Sequence, residues 1–311
     1  MQFSKAQLRR AFDYLNCAAR PLERAIATMR FREGSGQQVL EALEPYQNRD
    51  GGFGHGLEPD VRTPSSSALA TALALNILHE TGCSATHSMV GSAVDYFVRT
   101  YRHETAVWRA IPPDANDFPH APWWHDDGKS LSTTFDGFRI IPRALIVSHL
   151  HTYADLVPAD LLSEATEAAV ETLLDVPVLG NGGGSDLEYA VALAGNSALP
   201  ASHRAKLIPR IERAISEAVV RDRSRWSSYC LHPARAVRRP NGIGSHLVLD
   251  DLQRYLDYLI ESQQPDGTWP LTWDWGTPDS EAWPIAEREW RGIVALENLE
   301  VLQAFARIET A

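Results

Sequence analysis

The stretch QNRDGGFGHGLEPD, Gln47 to Asp60, places an imidazole and two carboxyls directly behind three glycines in four positions. An imidazole takes and returns a proton near neutral pH. A carboxyl held against apolar walls has its pKa raised into the range that suits proton donation. His55, Glu58 and Asp60 are therefore the expected catalytic residues, carried past neighbouring backbone by the glycines. The competing expectation is structural, with Glu58 and Asp60 capping the next helix and His55 bonding to backbone.

A second set of residues could hold a ligand. PHAPWWHDDG carries His120, Trp123, Trp124 and His125, LTWDWG carries Trp273, Asp274 and Trp275, and Glu287 and Trp290 open the last helical stretch. Tryptophans in proline-rich loops line cavities, stack on sugar rings or shield cations; they also plug the ends of helix pairs. The expected substrate-binding residues are His120, Trp123, Trp124, Trp273, Trp275, Glu287 and Trp290, with Asp274 or Glu281 nearer the rim. Asp136, His149, His151 and His246 are weaker candidates. Glu188 lies one turn into an apolar helix, so its carboxylate must be paired or functional. Asp250 and Asp251 lie on an amphipathic helix and read as solvated.

These residues must be positioned by helices. Ser65 to Gly82, SSSALATALALNILHETG, repeats apolar residues at helical spacing between serines and a glycine, the preferred caps. Comparable stretches recur along the chain and predict about eleven helices and no strand series. Some, as in Asp186 to Ala194, are apolar on nearly every face and read as buried; others, as in Ala159 to Asp175 and His203 to Val220, are amphipathic. Their alternation predicts helical hairpins in two layers. Long loops cover Ala110 to Gly137, Trp226 to His246 and Gln264 to Pro284, and they hold seven of the nine tryptophans, which argues for order.

Composition narrows the function. A formal net charge of −11 over 311 residues argues against a nucleic-acid binder, and the short basic run HPARAVRRP, His232 to Pro240, reads as a solvated loop. The three cysteines have no paired or zinc-type spacing, so no metal or cofactor is expected, and free thiols suit a reducing compartment. With no apolar leader and no run of 18 apolar residues, a cytoplasmic protein without a membrane span is expected. Oligomeric state is open.

The opening turn has a counterpart. LEALEPYQNRDGGF, Leu40 to Phe53, and LDYLIESQQPDGTW, Leu256 to Trp269, each end a helix and continue into glutamine, Asp-Gly and an aromatic residue. Asp50 matches Asp266, Gly51 matches Gly267 and Phe53 matches Trp269. Gln47 matches Gln263 across one extra residue, or Gln264 in a shorter register. In such a turn Asp accepts backbone N–H groups, Gly supplies positive φ, and the aromatic plugs the next helix pair. The pattern resembles the QW-type repeat of the terpenoid cyclase and protein prenyltransferase superfamily. DGGFGHGLEPD, PHAPWW and the C-terminal WDWG are similar to those of short bacterial prenyltransferase-like toroid proteins. The resemblance implies an all-α fold, a single α/α toroid domain over residues 1–311 around a central cavity. It does not bring the superfamily's best-known chemistry with it. The Asp-x-Asp-Asp acid motif is missing, the only paired aspartates being Asp126–Asp127 and Asp250–Asp251, and no cysteine sits one residue from an aspartate.

Three functions remain open. The first is a lyase, cyclase or isomerase acting on an isoprenoid-like or other apolar small molecule by acid–base catalysis. The second is a carbohydrate-active lyase or hydrolase, and the third a non-catalytic binding toroid. One acid in an aromatic cavity favours the first; two acids roughly 5–10 Å apart favour the second.

Overall fold

The computed structural model describes residues 1–126, 140–276 and 281–309. Twelve α-helices occur among them: α1 (Lys5–Cys17), α2 (Pro21–Phe31), α3 (Gly36–Leu43), α4 (Ala68–Glu80), α5 (Ser88–Thr100), α6 (Arg143–Thr152), α7 (Ala159–Asp175), α8 (Ser185–Gly195), α9 (Ala201–Ala218), α10 (Pro233–Ala236), α11 (Leu249–Glu261) and α12 (Trp283–Ala304). The described residues contain isolated bridges but no strand, so the fold is all-helical. The chain forms two compact units, the first of Met1–Ser35, Val178–Glu188 and Ile211–Ala311, the second of Gly36–Pro177 and Tyr189–Arg210.

In the second unit α4 packs against α5 and α6, and α6 against α7. Ser67 starts α4 by accepting the Ala70 N–H at 2.9 Å, and the helix is buried on most sides, as its composition predicts. Every residue of α6 from Arg143 to Leu150 is buried. Arg143 is accommodated because its guanidinium donates to the carbonyls of Ala106 and Ala168, both at 3.0 Å. The amphipathic α7 turns a single stripe inward, Leu161, Ala165, Ala169, Val170 and Leu173.

In the first unit α12 packs against α1 and α2, and α10 against α11. Helix α1 opens with a reciprocal cap between Ser4 and Gln7. Helix α12 begins at Trp283, four residues before the charged stretch that signals it, because Pro284 suits a first helical turn. The segment after α12 returns to α1: Phe3 N–H donates to Arg307 O at 2.7 Å and Glu309 N–H to Phe3 O at 3.0 Å. Phe3 is fully buried and stacks on Trp269, centroids 5.9 Å apart.

The two matched turns have the same geometry. Gly52 N–H donates to Asp50 Oδ1 at 3.0 Å, and Thr268 N–H to Asp266 Oδ1 at 3.0 Å. Gln47 Nε2 donates to Gly51 O and to Met89 O of α5, at 3.0 and 3.3 Å. Gln263 Nε2 donates to Gly267 O and to Gln7 O of α1, at 3.2 and 3.0 Å. The register is therefore Gln47 on Gln263 with no inserted residue, and Gln264 takes the place of Asn48: their N–H groups reach Thr268 O and Gly52 O, both at 2.8 Å. Gly51 and Gly267 adopt φ of 86° and 91°, and a Cβ on either would come within 2.2 Å of a carbonyl oxygen, Ser92 O or Arg10 O. Each turn thus latches the end of one helix onto the flank of another.

Indole groups close other helix ends. The N–H groups of the buried Trp108, Trp226 and Trp269 donate to Phe97 O, Val220 O and Leu259 O at 2.7–2.8 Å. Each carbonyl lies near the C-terminus of a helix, where such groups lack partners.

Candidate functional site

The expected site residues fall into two clusters, one in each unit. In the second unit the latch turn runs into His55, which holds a left-handed φ of 55° beside Gly56 at 71°. That conformation is uncommon and strained for a residue with a Cβ. It is fixed by the His55 N–H, which donates to Thr63 O at 3.1 Å, and by ring Nε2 against Asn48 Oδ1 at 2.9 Å. The ring itself is exposed. Glu58 lies in a turn closed by Val61 N–H on its carbonyl at 3.1 Å. Asp60 is only 4% exposed.

The loop carrying His120 lies against this one. Arg62 N–H donates to Pro119 O at 3.1 Å and Ala121 N–H to Asp60 O at 2.9 Å, which sets Val61 opposite His120. The pairing brings the two loops together.

His120 faces His125. Nδ1 of His120 lies 2.7 Å from Phe118 O; a carbonyl only accepts, so the ring proton is on Nδ1 and Nε2 carries a lone pair. That Nε2 lies 3.0 Å from Nδ1 of His125, with the rings nearly parallel at 12°. The neighbouring tryptophans part company in the single 3₁₀ turn Pro122–Trp124: Trp123 is 43% exposed and Trp124 is buried. Asp126 is clamped, its carboxylate by Arg109 at 2.8 Å and its backbone by both ends of the Asn116 amide. Asp127 and Asp136 lie outside the described residues. His151 meets the Thr166 hydroxyl at 2.9 Å, and burial, followed by the nearby His79, pushes His149 down to about 3. His149 is a core histidine, whereas His151 is half-buried.

In the first unit Trp275 is buried against Trp283, centroids 5.8 Å apart, and acts as a plug. Glu287 holds Arg291 at 2.9 Å, and Arg291 reaches Asp266 of the latch at 3.3 Å, so Glu287 braces the turn. Trp273 and Trp290 form an edge-to-face pair with centroids 5.2 Å apart, and Tyr229, 51% exposed, meets Trp273 at 6.3 Å. On a helix Trp290, Glu297 and Glu300 share one side, being seven and ten residues apart.

That side of α12 leads to charges the sequence only half revealed. Arg238 Nη1 lies 3.3 Å from Glu188 and 3.8 Å from Glu297, its Nη2 lies 3.8 Å from Glu300, and Arg30 also pairs with Glu300. Arg235 meets Glu188 at 3.4 Å and the Ser185 hydroxyl at 2.9 Å. Glu188 is paired, as its apolar helix requires. The basic run expected to be a solvated loop is instead packed: it forms α10, with Pro233, Ala234 and Ala236 buried. His232 stacks on Tyr255 at 4.3 Å, and burial, then Arg235 and Arg238, push it down to about 3. The signal was the placement of arginines between alanines and valine, which lets one side bury while the other meets carboxylates. No described helix is long and apolar enough to cross a membrane.

Comparison with models of protein families and with curated proteins finds no match for the chain.

Proposed function

We propose that the side of α12 bearing Trp290, Glu297 and Glu300 binds a carbohydrate and acts on it with paired carboxylates. The supporting observation is that Glu188 and Glu297 both approach one Arg238 nitrogen, at 3.3 and 3.8 Å. Their nearest oxygens are thus no more than about 7 Å apart, an upper bound compatible with the carboxylate pairs used in glycoside cleavage. Trp290, Trp273 and Tyr229 offer ring faces for a sugar. Glu297, the more exposed acid at 47% against 27%, exchanges the proton. Glu188, paired with Arg235 and Arg238, faces the positive charge that develops at the anomeric carbon.

The two latches and the return of the C-terminal segment to α1 support a second reading. In it the hairpins close into a single α/α toroid domain of the terpenoid cyclase type, the ligand is isoprenoid-like, and His55, Glu58 and Asp60 supply the acid–base chemistry.

A screen of oligosaccharides and of isoprenoid alcohols, followed by tryptophan fluorescence and product analysis, separates the two. A carbohydrate substrate whose turnover falls at least ~100-fold in Glu297→Gln, with the melting temperature retained, supports the first. Turnover of an isoprenoid that is lost in Glu58→Gln and Asp60→Asn and kept in Glu297→Gln overturns it.

A further inference from the structure

We propose that His120 and His125 form an open site for a borderline divalent cation such as zinc, nickel or copper(II). Two imidazole nitrogens on one tetrahedral ion, each about 2.0–2.1 Å from it, stand roughly 3.3 Å apart. Nε2 of His120 and Nδ1 of His125 are already 3.0 Å apart, near that separation, so the ion enters beside the line between them once each ring turns to aim its lone pair at it. The His125 proton then moves to its own Nε2, and no net proton is released from the neutral pair.

Three features prepare the pair. The Nδ1–H of His120 is spent on Phe118 O at 2.7 Å, the outer hydrogen bond that typically fixes the tautomer and ring of a metal-binding histidine. The backbone at His120 is held on both sides, by Arg62 N–H on Pro119 O and Ala121 N–H on Asp60 O. His125 is set by the turn before it, where its N–H donates to Pro122 O at 3.2 Å and Trp124 N–H to Ala121 O at 2.8 Å. The adjacent carboxylate of Asp126 is engaged by Arg109 and is not a ligand. Among the described residues no group of three or more His, Cys, Asp or Glu is placed to hold a metal, so the described residues supply two ligands, and water or a small anionic ligand can take the other positions. His125 is exposed, which leaves those positions open to solvent. Imidazole suits zinc, copper and nickel, whereas magnesium and calcium require oxygen.

The test is titration of the metal-free full chain with zinc chloride and nickel chloride by calorimetry, with magnesium chloride as control. The variants are His120→Ala, His125→Ala and, at a separate surface histidine, His103→Ala. The expected result is one ion per chain for zinc and nickel, none for magnesium, at least a tenfold loss of affinity in each of the first two variants and no change in the third. Circular dichroism checks that the variants fold; should His120→Ala unfold, His125→Ala and His125→Gln carry the test alone. No zinc or nickel binding by the unmodified chain, or binding unchanged in the His125 variants, overturns the site and leaves only a hydrogen bond between two rings.

Discussion

The latches at Gln47–Phe53 and Gln263–Trp269 make the same backbone contacts and differ in what braces them. Asp50 also accepts the Ser66 hydroxyl at 2.7 Å, from the approach to α4, and Arg99 of α5 donates to its carbonyl. Asp266 accepts its own turn's Thr268 hydroxyl at 2.7 Å and pairs with Arg291 of α12 at 3.3 Å. Beyond the first latch Gly54 takes the chain within 2.2 Å of Ser65 O by the Cβ it lacks, and Tyr46 O receives its N–H at 2.9 Å. Beyond the second stands Pro270, which has no N–H to give. One turn is therefore held by neighbouring backbone and hydroxyls, the other by an ion pair. The shared bonds define the latch; the braces are interchangeable.

The largest effect should come from the shared glycines. Gly51→Ala and Gly267→Ala each place a Cβ on a carbonyl oxygen in a left-handed turn, and each should cost about 3 kcal/mol by denaturant unfolding. A variant that unfolds normally at one site and not at the other breaks the equivalence.

Acid should come next, because each unit holds a histidine kept neutral, His149 buried and His232 half-buried against Tyr255. His149 and His232 both sit near 3 when folded against the ordinary 6.5, so both are neutral in the native chain. Protons bind the unfolded state first: stability is full above about 6.5 and is lost as pH falls from there towards 3. His149→Gln and His232→Gln should flatten this part of a melting-temperature profile. A variant profile parallel to the parent's would show that the histidine does not contribute.

Asp50→Ala and Asp266→Ala should cost about 1–2 kcal/mol each, the scale of a lost helix cap. The deficit of the second should depend on pH. Burial pushes the Asp266 carboxyl up, but the Thr268 N–H and hydroxyl and then Arg291 outweigh it, and the net shift is downward from 3.8. Its contribution is complete above that value and fades as pH falls below it, so the deficit of Asp266→Ala should shrink below pH 3.8.

The smallest expected effect sharpens the contrast between braces. Arg291→Gln should cost under about 0.5 kcal/mol, because the pair is substantially exposed, and added salt should abolish the difference. A cost of several kcal/mol would make the ion pair, rather than the shared bonds, the core of the second latch.

The helices and latches were readable because each rests on local signals, apolar periodicity and Asp-Gly turns. What lay beyond local spacing was harder to read. Trp123 and Trp124 are adjacent yet one is exposed and the other buried, and Trp275 is buried while Trp273 is only half-buried. Only the packing around each loop decides that. Glu188 announced a partner through its apolar helix, but Arg235 and Arg238 come from some 50 residues away, through a segment whose charge suggested solvent. His120 and His125 read as wall residues; their mutual contact depends on a 3₁₀ turn that the four intervening positions do not specify.

The return of the chain's last described segment to α1 also sets an order of assembly. The first latch joins Gln47 to Met89, 42 residues on, and can form while most of the chain is still being made. The second joins Gln263 to Gln7 across 256 residues, and Phe3 pairs with residues 307–309. During synthesis α1 therefore emerges 256 residues ahead of the glutamine that reaches it, and its flank and Phe3 stay uncovered over that interval. Closure over so long a separation is slow and leaves apolar surface open to wrong partners. The reciprocal cap between Ser4 and Gln7 is local to α1 and can hold that helix in shape during the wait.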